Sequence, residues 1–158
     1  MKRYTTRAPL LAAMVLLCLA ASASARPNFS GKWSLDSEQS YLGPFAEITV
    51  LIRDVRHDDP RLIINVESDG PKGERAGEMR FLTQREEITN TIAGVETTGS
   101  VMWLGDHLLM KTARDWEGVS TTLEELWTLS EDGKTLRIDA VVTTAHGTEE
   151  ILAVFQKQ

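Results

Sequence analysis

The chain has 158 residues, 42% of them hydrophobic, a formal net charge of −6 and one cysteine. An acidic chain is a poor candidate for nucleic-acid binding, because that affinity comes largely from neutralising phosphates with lysine and arginine. A single cysteine also excludes an internal disulfide framework. The length is that of about one folded domain.

The first 25 residues are predicted to be a secretory signal. Lys2, Arg3 and Arg7 precede an apolar run over 10–21, which is followed by the small residues "ASASA". This run is too short for the roughly 20 residues of a membrane-spanning helix, and no later stretch approaches that length. We expect cleavage after Ala25, a secreted or periplasmic location, and a mature domain over residues 26–158.

Removing the three cations of the signal takes the net charge from −6 to −9. The cysteine, Cys18, lies inside the signal and is preceded by Leu17, where a lipoprotein signal would carry a small residue. We therefore expect no lipid anchor and no thiol chemistry in the mature domain. The oligomeric state is left open.

Short strands separated by regular turns dominate the mature chain. Turn signals recur at 57–60, 69–73, 83–86, 104–107, 116–118, 131–134 and 145–147. Between them the apolar pattern has a period of two, as in Leu62, Ile64 and Val66. Even spacing of this kind predicts an all-β protein, an antiparallel up-and-down (meander) barrel of 8–10 strands.

Two segments fit this pattern less well. Residues 36–46 have room for one short helical turn, which Gly43-Pro44 would end. Residues 86–104 are compatible with one strand and a loop, or with two strands around Gly94.

Hairpin registers give the inner face of the second half of the chain. We take two-residue turns at Glu117-Gly118, Asp132-Gly133 and His146-Gly147. The facing pairs are then Met110 with Glu125, Glu125 with Ala140, Ala140 with Ala153, and Ile138 with Phe155. Four consecutive strands agree on one apolar inner face, which favours closure into a barrel.

Two stretches resemble known families. Gly31-Lys32-Trp33 resembles the Gly-x-Trp of the first calycin strand, and "WEGVSTTL" resembles a closing hairpin of fatty-acid-binding proteins. The mature chain is also similar to secreted bacterial lipocalin-like proteins, through "SGKWSLDSEQS" and "WTLSEDGKTL". The resemblance implies a lipocalin-like, calycin barrel.

The same resemblance argues against a free fatty acid as cargo. Fatty-acid-binding proteins hold the cargo's carboxylate with an inward arginine after that hairpin and an Arg-x-Tyr on the last strand. Here Glu125, Ala153 and Phe155 occupy the three positions. The region over 36–46 is also too short for the two lid helices of that family.

Glu125 is the candidate functional residue, because it shares a strand face with Leu123 and Trp127. A carboxylate beside two alanines suggests a small-molecule pocket. The predicted ligand-binding residues are Glu125, Met110, Leu123, Trp127, Ala140, Ala153, Phe155 and Arg114. Alternatively, Glu125 is satisfied internally, by water or by inward Arg114, or is tipped outward by a bulge at Glu124-Glu125.

The tryptophans and Arg114 also have structural interpretations. Trp33 fits a plug at the closed end of the barrel and Trp127 ordinary core, although both could line a cavity. Arg114 lies two residues from a turn, which favours a solvated cation at one rim.

The sequence indicates no metal site, cofactor or catalytic centre. His107 and His146 lie in turns at opposite ends of an up-and-down barrel, and His57 in "HDDP" fits a hydrated turn. Neighbouring glutamates in a strand point to opposite faces, so the acidic doublets form no catalytic dyad.

We therefore predict a secreted or periplasmic protein that binds a small hydrophobic ligand with a polar or basic group. One alternative is a filled barrel that acts through its outer surface as a protein-interaction or inhibitor module. A third is a calycin-type enzyme with Glu125 as general base in an apolar pocket.

Overall fold

Ten antiparallel strands dominate the computed structural model, which describes residues 26–71, 73–116 and 118–158. The strands are β1 (Gly31–Leu35), β2 (Val50–Asp58), β3 (Arg61–Asp69), β4 (Arg75–Leu82), β5 (Ile88–Ile92), β6 (Val95–Leu104), β7 (His107–Trp116), β8 (Val119–Leu129), β9 (Thr135–Thr144) and β10 (Gly147–Lys157). The predicted all-β class and strand number are confirmed. The predicted signal, its cleavage site and Cys18 lie outside the described residues.

The strands form one up-and-down sheet that curls into a nearly closed barrel. Every strand pairs with the next one along the chain except β4 with β5, and β1 also pairs with β10, so the sheet runs from β4 through β1 and β10 to β5. The two edge strands, β4 and β5, approach each other through side chains. Asn90 Oδ1 accepts a hydrogen bond from the Arg80 backbone N–H at 2.8 Å, and Asn90 Nδ2 donates to the Arg80 carbonyl at 3.2 Å.

The hairpin registers of β7, β8 and β9 are as predicted, with Met110 opposite Glu125 and Glu125 opposite Ala140. The last hairpin is displaced by two residues. Its turn is Ala145-His146, so Ile151 faces Ala140 and Ala153 faces Ile138. The predicted pairing of Ala140 with Ala153 was wrong, because a shift by two residues keeps every side chain on the same face and leaves the pattern unchanged.

Residues 86–104 form two strands, β5 and β6. The turn between them is Ala93-Gly94, and both residues have positive φ, +50° and +81°. This is the type I′ geometry that matches the twist of a two-residue hairpin.

The segment between β1 and β2 contains a 3-10 helix at Gly43–Phe45. Gly43-Pro44 therefore begins the helical turn that it was expected to end, because proline's fixed φ suits the first helical position. Among the described residues, no helix is long and apolar enough to cross a membrane.

The two ends of the barrel differ in how they are filled. At the end with the β2–β3, β6–β7 and β8–β9 turns, here called the closed end, large side chains are fully buried, including Phe29, Trp33, Trp127 and Phe155. The Trp33 indole N–H donates to the Phe29 carbonyl at 3.0 Å. Trp33 is therefore the plug expected at the closed end, and its indole nitrogen is hydrogen-bonded. The opposite end is here called the mouth.

Candidate functional site

Glu125 forms an ion pair with Arg53 in the interior of the barrel. Arg53 Nη2 lies 2.7 Å from Glu125 Oε1, with side-chain exposures of 11% and 4%. The bulge alternative is wrong, because Glu125 is buried and its register with β7 and β9 is unbroken. Glu125 is satisfied internally, by Arg53 on β2.

Arg53 reaches this position because it lies on the inward face of β2. The inner residues of β2 are Leu51, Arg53, Val55 and His57, whereas Val50 on the other face is 44% exposed. Residue type at the start of β2, with Val50 and Ile52 on one face, favours the opposite choice, but Asp54, Arg56 and Asp58 follow on that same face. Pairing of Arg53 with Trp33 on β1 and Val66 on β3 fixes the actual face.

Two aromatic rings enclose the guanidinium of Arg53. Its Cζ lies 5.1 Å from the ring centroid of Trp127 and 5.5 Å from that of Phe155. Arg53 Nε and Nη1 are buried and have no hydrogen-bond partner among the described residues. Cation–π contacts of a desolvated guanidinium stabilise it and partly offset these unmade hydrogen bonds.

The structure brings together most of the residues predicted to bind a ligand. The buried ones are Glu125, Met110, Trp127, Ala140, Ala153 and Phe155, and the half-buried ones are Leu123 and Arg114. The space expected beside Glu125 between two alanines is reduced, because Ile151 and not Ala153 stands opposite Ala140.

Several inward apolar side chains are half-buried on the mouth side of the ion pair, although Val142 on β9 stays buried there. Leu123 on β8, Leu51 on β2, Val66 on β3 and Met79 on β4 all point inward and are all partly exposed. In a closed barrel an inward side chain keeps accessible surface only where the interior has room. The mouth half is therefore the less tightly packed part of the barrel interior.

Arg114 belongs to the mouth wall. It is half-buried and faces Thr97 on β6 and Thr121 on β8. Burial lowers the pKa of Arg114, and the positive charge of Arg75 lowers it further. The Thr97 hydroxyl is buried and has no hydrogen-bond partner among the described residues. Arg114, which was expected to be a solvated cation at the rim, thus lies in the barrel wall between two threonines.

A second polar cluster lies at the closed end. His57 is buried; its Nδ1 accepts from the Phe29 backbone N–H at 3.3 Å, and its Nε2 lies 3.6 Å from Asp59 Oδ1. Asp59 also accepts from the Trp103 indole N–H at 3.0 Å and from the Thr83 hydroxyl. The hydrated turn expected at His57 was wrong, because the residue lies on the inner face of β2 and holds the closed end together.

Two concave surfaces lie on the outer face of the sheet. One, of about 460 Å³, is lined by residues such as Lys111, Ala113 and Thr122. The other, of about 580 Å³, is lined by residues such as Tyr41, Leu109 and Leu126. Tyr41 is 65% exposed and Val141, which lines both grooves, is 38% exposed.

Similar solved structures share this barrel. The zebrafish ileal bile acid-binding protein complexed with cholic acid matches with 16% identity and a TM-score of 0.55, over 82% of this chain and 98% of its own. The fold is that of a calycin barrel of the fatty-acid-binding-protein type.

Two further barrels of this kind are similar. A secretory abundant heat soluble protein of Ramazzottius varieornatus matches with 11% identity and a TM-score of 0.56, over 82% of this chain and 94% of its own. The Schistosoma mansoni fatty acid binding protein in complex with arachidonic acid matches with 13% identity and a TM-score of 0.50, over 82% and 96%. No protein-family model and no curated protein matches the chain.

Proposed function

We propose that this calycin barrel binds a small hydrophobic molecule with a polar or basic group in its mouth half. The observation that carries the proposal is the set of half-buried, inward apolar side chains at Leu51, Val66, Met79 and Leu123. Binding sites of this type are concave and mostly apolar, with few polar groups. A similar barrel is named for bile acid and holds cholic acid, which supports hydrophobic cargo.

We also propose that the cargo is not a free fatty acid. Glu125 and Arg53 neutralise each other at the bottom of the mouth half, so a carboxylate driven down to them would meet no net positive charge. The secreted or periplasmic location, inferred from residues 1–25, belongs to the same proposal, as does the likeness to secreted bacterial lipocalin-like proteins.

A titration with matched C12 amine, alcohol and carboxylate, followed by tryptophan fluorescence, tests this function. Leu123→Asp places a charge in the mouth wall and should weaken binding of the alcohol at least about tenfold. Leu126→Asp is the matched control, because Leu126 lies on the same strand and lines an outer groove. Native mass spectrometry of protein purified from its own host would identify a natural ligand.

Three results would contradict parts of the proposal. Absence of binding of all three probes by folded protein excludes the function. Tightest binding of the carboxylate excludes the stated head-group preference. Loss of binding in Leu126→Asp but not in Leu123→Asp places the site on the outside.

That last outcome would favour the second candidate function, a barrel that acts through its outer surface. The outer grooves with exposed Tyr41 and Val141 are the observation in its favour.

A further inference from the structure

The ion pair of Arg53 and Glu125 marks a change in burial along five strands of the barrel, whereas Val142 on β9 and Thr97 on β6 stay buried on its mouth side. On β8, Glu125 and Trp127 are buried, whereas Leu123 and Thr121 are half-buried. The same change occurs on β2, where Val55 is buried and Leu51 half-buried. The inner faces of β3, β4 and β7 change in the same way, between Ile64 and Val66, Phe81 and Met79, and Met110 and Thr112.

Below this boundary the barrel has no room for cargo. Trp33, Phe155 and Leu136 are each 0% exposed, and Trp127 is 1% exposed. Protein interiors of this kind are packed as densely as organic crystals. A ligand that enters from the mouth therefore stops where the packed region begins.

The first groups it would meet are Arg53 and Glu125. The guanidinium is held by Glu125 at 2.7 Å and lies against the rings of Trp127 and Phe155. Pushing the pair apart would leave a buried carboxylate and a buried guanidinium without each other, which is strongly unfavourable. An ion pair so enclosed is a barrier to an alkyl chain.

We infer that the pair of Arg53 and Glu125 is the floor of the ligand cavity and restricts the cargo to short or compact hydrophobic molecules. This inference rests on the proposed function and adds the size class of the ligand. Long extended acyl chains are excluded because their ends would have to pass the floor.

The depth available above the floor follows from β8. Six residues separate Val119 at the mouth from Glu125. At about 3.3 Å per residue and a strand tilt of roughly 40°, the floor lies about 15 Å below the rim. Side chains of the wall occupy part of that depth.

The test is a series of straight-chain alcohols from hexanol to tetradecanol, titrated into the folded protein by tryptophan fluorescence. Affinity should rise roughly fourfold with each added methylene while the chain still finds apolar wall to cover. It should then level off within the series, at the length that reaches the floor.

Double variants show whether the size of the floor or its charge sets the alcohol length at which affinity levels off. Arg53→Ala/Glu125→Ala removes the floor without leaving an unpaired charge, and should move the plateau to longer alcohols. Arg53→Leu/Glu125→Ala leaves a smaller gap than the first variant, and it replaces that variant in the titration if the first variant does not fold. Arg53→Met/Glu125→Met restores the volume with apolar atoms and should keep the plateau near its original length.

The matched control is Lys111→Ala/Glu124→Ala. This ion pair joins β7 and β8 on the outer face at 2.5 Å, next in register to Met110 and Glu125, with both side chains about half exposed. Its removal should leave the plateau unchanged.

A steady rise to tetradecanol in the wild type, or the same plateau in a folded floor-removing variant, overturns the floor while leaving the proposed function standing. Absence of alcohol binding at every length by folded wild type overturns both.

Discussion

Breaking the ion pair between Arg53 and Glu125 is the perturbation with the largest expected effect on stability. Arg53→Met leaves the Glu125 carboxylate, 3% exposed, without its cationic partner. Loss of one member of a buried pair typically costs about 3–5 kcal/mol of the free energy of unfolding. We expect the lower end, about 3 kcal/mol, because the Arg53 side chain keeps 11% exposure and water can relax into part of the space.

The double variant Arg53→Met/Glu125→Met should cost no more than either single variant. Replacing a buried ion pair by apolar groups of similar volume is often neutral, because both desolvation penalties disappear together. The difference between the sum of the single effects and the double effect is the coupling energy, which should be at least about 3 kcal/mol.

Urea unfolding followed by tryptophan fluorescence measures all three variants, with the free energy obtained by linear extrapolation. Lys111→Met is the control. Lys111 and Glu124 form an exposed pair on the outer face of β7 and β8, and such pairs contribute about 0–1 kcal/mol. If Arg53→Met costs no more than Lys111→Met, or if the single effects simply add, the interior ion pair is not the interaction described.

Three further predictions concern the packed half of the barrel and one tight strand contact. Trp33→Ala should lower the free energy of unfolding by about 3–5 kcal/mol in urea titrations, since Trp33 is fully buried, and a loss near zero would show that β1 is not packed there. Burial lowers the pKa of His57 and the charge of Asp59 offsets only part of this, so the unfolded chain binds the proton more readily. The free energy of unfolding should therefore be constant above about pH 6.5 and fall as the pH drops below it. Between pH 8 and 5.5 it should fall less in His57→Gln than in the control His146→Gln. Equal falls in the two variants would show that His57 is not the cause. Gly99→Ala should lower the thermal midpoint, because its Cβ would lie 2.6 Å from the Lys111 carbonyl oxygen, and a tolerated alanine would refute that contact.

The sequence by itself determined most of the strands and turns and the inner face of the C-terminal half. Period-two alternation and turn residues act over a few neighbours, so they are readable without the fold, and they placed Glu125 opposite Met110 and Ala140. Trp33 at the closed end followed from the resemblance to a calycin first strand and from its size.

Only the tertiary structure decided what Glu125 meets. Arg53 lies 72 residues away on β2, and β1, β10 and β9 separate β2 from β8 in the sheet. The face that β2 turns inward is fixed by the pairing of Arg53 with Trp33 on β1 and Val66 on β3. The register of the last hairpin was undetermined for a related reason, since a slip of two residues preserves alternation.

The boundary between the packed and the open half of the barrel is likewise a property of the closed sheet. Leu123 and Trp127 are both inward apolar residues of one strand, and nothing in their local pattern distinguishes them. They differ because residues from several strands converge on Trp127 at the closed end, whereas Leu123 faces the space on the mouth side of Glu125 and Arg53. Burial depends on how many distant side chains meet at one depth, which only the assembled barrel specifies.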